Sequence, residues 1–214
     1  MFYNFNLAGG SVWIRRPFSW GARMNLFYSN KKLKKDGIFK WSLPAGLVDQ
    51  GGTCIGAGAC LKFCMFKKIY KFRGPRCIGA HKRNLELARS PWFADICIYE
   101  LQARRVIKRL RVHDSGDYFD QDYVQAWARI AQAVPRVFFY SYSKSAGGLD
   151  LDPLRSLHNY RVIESVGGRW PVDRRRVHSI VLPRGADRIP AGYADGSVSD
   201  LVALNSKRIA LKRI

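Results

Sequence analysis

The sequence predicts an α/β fold: a partial (β/α) barrel of parallel strands, preceded by an irregular, basic N-terminal extension. Three observations predict it. From residue 37 onward, short strand-like segments alternate with helix-like ones, the order expected of βαβ units. The chain has 214 residues, enough for one sizeable core but fewer than the roughly 250 that a closed eight-stranded barrel takes. The potentially reactive side chains follow the strand-like segments, at the carboxyl ends where parallel sheets gather their chemistry. The chain therefore divides into an extension, residues 1–35, and a single domain, residues 36–214.

Taken in order, residues 1–35 carry seven basic and no acidic side chains, with Gly9-Gly10 and Lys31-Lys32-x-Lys34-Lys35 as punctuation and no pattern that assigns a fold. Residues 37–43 alternate apolar and polar side chains and stop at Pro44, as a strand does. A glycine-rich cysteine loop follows, and residues 60–70 open a short helix. Leu85, Leu87, Ala88, Phe93, Ile96, Cys97 and Leu101 recur near helical spacing, so residues 81–105 read as a helical stretch that Pro91 kinks or restarts. Ser90-Pro91 has the form of an N-cap followed by proline at the first helical position. Residues 109–113 alternate as a strand and run into Asp114-Ser-Gly-Asp117. Asp120 caps a helix whose face is Tyr123, Trp127, Ile130 and Val134, closed by Pro135. Residues 137–142, 161–166 and 177–182 supply further strands, with a short helix over 151–157.

Composition narrows the function. Apolar residues make up 47% and aromatics 13%, which excludes a disordered basic tail. No apolar run approaches a membrane span, and Met1–Trp13 has no secretory leader, so the expected compartment is the cytoplasm. The formal net charge of +21 predicts attraction to nucleic acid or another polyanion. Arg15, Arg16, Lys31, Lys32, Lys34, Lys35, Arg174, Arg175 and Arg176 are the candidate phosphate contacts. No helix-turn-helix, RNA-recognition or paired-finger pattern accompanies them, which favours non-specific binding over sequence reading.

Five cysteines, an odd number without a leader, argue against a disulfide framework. Cys54, Cys60 and Cys64 lie in a turn-like segment with the spacing Cys-x5-Cys-x3-Cys, which points to a metal or cofactor. A structural zinc is one alternative, with His81 or His113 as a fourth ligand. Cys77 sits after Gly-Pro-Arg, where it is either a fourth ligand or, the reading preferred, structural, and Cys97 lies on an apolar helix face. His113, at a strand end beside Asp114 and Asp117, forms a candidate acid–base pair with Asp117; the competing reading is a satisfied rim histidine and a capping carboxylate.

Several of these segments, in order, resemble the phage gene product 88 family: KLKKDGIFKWSLPAG, TCIGAGACLKFC, RNLELARSP, RVHDSGDYF and IPAGYADGSVSDLVALNSKRIAL. Members of that family look like relatives of radical SAM (S-adenosylmethionine) enzymes. The resemblance implies a short radical SAM-like barrel, a four-iron four-sulfur (4Fe-4S) cluster on Cys54, Cys60 and Cys64, and a cofactor's polar end seated at Ser115, Gly116 and Asp117. It also implies a phage protein working in the host cell cytoplasm. The common radical SAM spacing is Cys-x3-Cys-x2-Cys, and this chain departs from it. The sequence thus leads to a radical SAM-like iron–sulfur protein acting on or binding nucleic acid or nucleotides. Its rival is a non-catalytic nucleic-acid-binding protein with structural zinc or no metal.

Overall fold

The computed structural model describes residues 2–7, 10–15 and 25–212. β1 (Phe2–Leu7) and β2 (Gly10–Arg15) pair antiparallel, which corrects the expectation of an irregular extension. In their register Leu7 lies opposite Gly10, a residue of the Gly-Gly pair taken above only as punctuation. Next come α1 (Lys31–Lys35), β3 (Ile38–Lys40), α2 (Met65–Ala88), α3 (Phe93–Ala103) and β4 (Arg109–Val112). After them follow α4 (Gln121–Ala133), β5 (Phe138–Ser143), α5 (Asp152–Arg155), β6 (Tyr160–Ser165) and β7 (His178–Val181). The chain ends with β8 (Ala194–Asp195), α6 (Val202–Asn205) and β9 (Arg208–Leu211). Seven strands, β3 to β9, make one parallel sheet in the order β3-β4-β5-β6-β7-β9-β8, curled into a half-barrel.

The sheet's outer face is covered by the amphipathic helices. In α4, Tyr123, Trp127 and Ile130 are buried as the helical period requires, and Asp120 Oδ1 accepts the Tyr123 N–H at 2.7 Å. Trp127 packs on Trp41 and Phe93 with ring centroids 6.4 and 5.6 Å apart, both in the edge-on arrangement that aromatic quadrupoles favour. Phe27, upstream of α1, is buried in the same core.

Two helical expectations are refined. The end of the cysteine loop forms a 3-10 turn, Ala59–Phe63, and after Cys64 the 24-residue α2 begins. That helix is broken internally at Gly74, whose φ of 60° only glycine adopts freely, just before Pro75. The stretch expected over 81–105, with a kink or restart at Pro91, is the end of α2 followed by the separate α3. Ser90 Oγ accepts the Trp92 N–H at 3.2 Å, so the cap acts before Phe93 opens the helix.

The concave inner face carries a second, smaller core: Leu33 of α1 and Ala203 of α6 pack with Ile38, Tyr140, Ile163 and Ile209. In-register parallel pairing also aligns Lys40, Arg111, Tyr140 and Arg161 side by side across β3 to β6. Residues two apart share a face, so this row alternates with the apolar outer one.

Candidate metal and cofactor centre at the barrel rim

The cysteine loop begins where β3 ends. Leu43 N donates to Ser115 O, Thr53 N to Pro44 O and Cys54 N to Gly46 O, all between 2.9 and 3.0 Å, which folds residues 43–54 back over the end of β4. The loop then crosses the rim. Arg169 N donates to Gly56 O at 2.8 Å and Cys60 N to Gly167 O at 3.3 Å. A β-carbon on Gly56 would lie 2.0 Å from Lys144 O, and one on Gly58 would lie 2.7 Å from Gly168 C. Only glycine permits this backbone-on-backbone contact with the ends of β5 and β6.

This path puts Cys54, Cys60 and Cys64, all half-buried and free, into one electrostatic neighbourhood. Burial pushes the Cys54 thiol up to about 12; the negative charges of Asp117, Cys64 and Cys60 push the same way, against the Gly46 N–H. A thiol in such company stays protonated until a cation arrives, and a bound cation reverses that preference. Among the described residues, no three His, Cys, Asp or Glu side chains are gathered closely enough to hold a single ion. A single zinc, with bonds of about 2.3 Å, needs sulfurs roughly 3.8 Å apart, whereas a multi-iron cluster accepts ligands spread more widely.

Among the described residues, neither histidine considered for zinc completes a group of three metal-ligating side chains. Tyr70 Oη takes the Ala45 N–H at 3.1 Å and bonds His81 Nδ1 at 2.8 Å, and His81 Nε2 lies 3.9 Å from Cys77 Sγ. Burial, the main cause, lowers His81 to about 4. His113 has a positive φ of 66° and 3% exposure, its ring edge-on to Tyr118 with centroids 4.5 Å apart. Its Nε2 bonds Tyr123 Oη at 3.0 Å while Nδ1 has no partner. Burial lowers it to about 3, so the ring is neutral at physiological pH. It is not brought to Asp117, and Asp114 is bound instead to Lys40.

Ser115, Gly116 and Asp117 form the joint between loop and sheet. Gly116, at φ 79°, leaves no room for a side chain: a β-carbon would lie 2.5 Å from Thr53 Oγ1 and 2.7 Å from Leu43 Cβ. The Asp117 carboxylate accepts Ser143 Oγ at 2.7 Å, Lys144 N at 2.7 Å and Tyr118 N at 2.9 Å, while its own N–H goes to Thr53 Oγ1. Burial raises its pKa and these donors oppose the rise. Ser115 Oγ is buried near Tyr70 Oη without a hydrogen bond of good geometry. The three residues thus clasp β4, β5 and the cysteine loop together.

Below the rim, Arg111 Nη1 pairs with Asp200 at 2.7 Å and its guanidinium lies 5.1 Å from the Tyr142 ring. Arg161 donates to Ser206 O at 2.8 Å and carries no ion pair among the described residues. The Nε atoms of both arginines are buried without partners. Lys144 Nζ bonds Ser165 Oγ at 3.0 Å. The inner floor thus carries two cations without an ion pair among the described residues, Arg161 and Lys144, beside the paired Arg111, a feature that sequence reading missed for want of the strand register. Of the predicted surface contacts, Lys31, Lys34 and Lys35 are exposed on α1 and Lys32 pairs with Asp200 at 3.4 Å. Arg175 is tied to Asp173, and Arg176 to Asp152 and Glu164, so of that trio only Arg174 has no ion pair among the described residues. Arg16 lies outside the described residues, and of Arg15 only the backbone is described.

No helix among the described residues is long and apolar enough to cross a membrane. No solved structure matches the chain. It is 31% identical to the Gene 88 protein of Mycobacterium phage L5 over 113 residues, 48% of this chain and 46% of that one. With the Gene 88 protein of Mycobacterium phage D29 the identity is 32% over 114 residues, 48% and 45% of the two chains. The chain thus spans less than half the length of the curated relatives it matches. The family model for Gene product 88 matches residues 23–210, from the segment before α1 through the cysteine loop and rim to β9, and the chain belongs to that phage family.

Proposed function

We propose that this chain is a radical SAM-like iron–sulfur protein that acts on or binds nucleic acid or nucleotides. The observation that carries the reading is the cysteine loop, laid by its glycines over the carboxyl ends of parallel strands with three thiols in one neighbourhood. Cys54, Cys60 and Cys64 would hold the cluster. When bound, a 4Fe-4S cluster with three protein ligands supplies an electron and an open iron that a methionine amine and carboxylate can occupy. The chain's own residues do the rest. Gly56 and Gly58 let the loop seal against Lys144 and Gly168, and the clasp of Asp117 holds the β5 end in place. Arg161 and Lys144, which have no ion pair among the described residues, favour an anionic substrate.

Oxygen-free purification with iron, sulfide and zinc analysis tests this, followed by an assay for S-adenosylmethionine cleavage. Brown protein with iron and sulfide is expected. Cys54→Ala, Cys60→Ala and Cys64→Ala each lose the iron, and Cys97→Ala, whose thiol is fully buried in the apolar core, keeps it. Colourless protein with one zinc, or iron retained in all three rim variants, overturns the reading. The first result favours the rival, a non-catalytic nucleic-acid-binding protein.

A further inference from the structure

We propose that the loop between β6 and β7 carries a subsite for single-stranded nucleic acid, with Trp170 stacking on a base and Arg169 and Arg174 holding the flanking phosphates. This names the substrate class of the rim site and rests on the reading above for the link between the two. Residues 166–172 and Arg174 line a groove of about 350 Å³, large enough for a nucleobase and its sugar.

The groove is built around the indole. Trp170 lies along Gly147 and Gly148 so closely that a β-carbon on either would come within 2.4 Å of its atoms. Two successive glycines therefore make the space this ring fills, and the ring is half-buried rather than lost in the core. The Arg169 guanidinium lies 5.9 Å from the ring centroid. Arg169 and Arg174 are exposed and have no carboxylate partner among the described residues, whereas Arg175 and Arg176 next to them are neutralised by Asp173, Asp152 and Glu164.

An aromatic platform flanked by two uncompensated guanidiniums matches a ligand with alternating flat and anionic parts. That is an unpaired strand; in a duplex the base faces are already stacked. An apolar peptide would leave both charges unanswered. Continuity with the rim is direct, because Arg169 N holds Gly56 O and Gly58 abuts Gly168. A strand seated on Trp170 runs onto the cysteine loop.

Fluorescence anisotropy on the full chain tests the proposal, using labelled DNA and RNA oligonucleotides of about a dozen unpaired nucleotides and a duplex of the same sequence. Trp170→Ala is expected to weaken single-strand binding on the order of tenfold, and Trp170→Phe to retain most of it. Arg169→Ala and Arg174→Ala should each reduce the slope of log affinity against log salt by about 0.7. Duplex binding should be indifferent to Trp170. Equal affinity of Trp170→Ala and the unaltered chain overturns the proposal. So does an equal loss in Trp170→Phe and Trp170→Ala, which marks the indole as packing alone, or an equal effect on duplex. Iron and sulfide are measured on the same preparations. Iron retained in the cysteine variants sinks the cluster reading without touching this one, and an inert Trp170→Ala does the reverse.

Discussion

Asp117 and Cys54 sit close enough on the rim to sense each other's charge, and burial raises the pKa of both. Their surroundings then diverge. Asp117 collects three short donors, from Ser143, Lys144 and Tyr118, so the protein itself compensates its negative charge. Cys54 has further potential anions around it, Cys60 and Cys64, with a single backbone donor on the other side. The clasp is complete without a ligand. The thiols are stable together as anions only once something positive joins them. The rim thus separates into a carboxylate whose charge the protein compensates and a thiol whose charge it does not.

Asp200 gives the limiting case of a compensated acid. It is 3% exposed, and although burial opposes its charge, Arg111, Tyr140 and Lys32 hold its pKa below the usual carboxylate range. Asp200→Asn should cost about 3 kcal/mol at neutral pH, because it strands Arg111 in a buried site. A group with a lowered folded-state pKa contributes stability above its unfolded value and loses it as pH falls through the folded one. Chemical denaturation across the acid range should therefore show the gap between the two proteins closing below about pH 4. A gap that is constant with pH would mean the Arg111 pair contributes packing and not charge.

The direct contest between the two rim residues comes next in size. Asp117→Ala leaves Ser143, Lys144 and Tyr118 without their buried acceptor and should lower stability by about 2 kcal/mol, read from the urea midpoint of metal-free protein. Cys54→Ala removes a thiol that compensates nothing, and metal-free stability should change by less than about 1 kcal/mol. Comparable losses would erase the distinction between clasp and ligand.

The legible parts of this molecule were those carried by local pattern. Alternation in β4 to β7, the face of α4 and the Asp120 cap could be read directly, and strand order placed the cysteine loop and Ser115–Asp117 on one rim. What escaped depends on register or on the tail. The row Lys40, Arg111, Tyr140 and Arg161 is invisible until four strands align. β8 and β9 are short, and β9 enters the sheet between β7 and β8, out of chain order. Local propensity carries no such information. Of the two readings of His113, the contacts match the rim histidine: its neighbours in sequence are carboxylates, but its positive φ turns it toward Tyr118 and Tyr123.

Ser115 sharpens the comparison with the smallest effect. Its hydroxyl is buried beside Tyr70 with no well-formed hydrogen bond, although Ser115 belongs to the same joint as Asp117. An unpaired buried hydroxyl has lost its water and gained little in return, so deleting it recovers part of that cost. Ser115→Ala should leave metal-free stability unchanged or raise it by up to about 1 kcal/mol, in contrast to the loss at Asp117 two residues on. A drop larger than that would show the hydroxyl bonded to Tyr70 Oη and working as part of the clasp. Unchanged stability combined with weaker S-adenosylmethionine binding in iron-loaded protein would place Ser115 on the cysteine side of the divide, as a group whose partner arrives with the ligand.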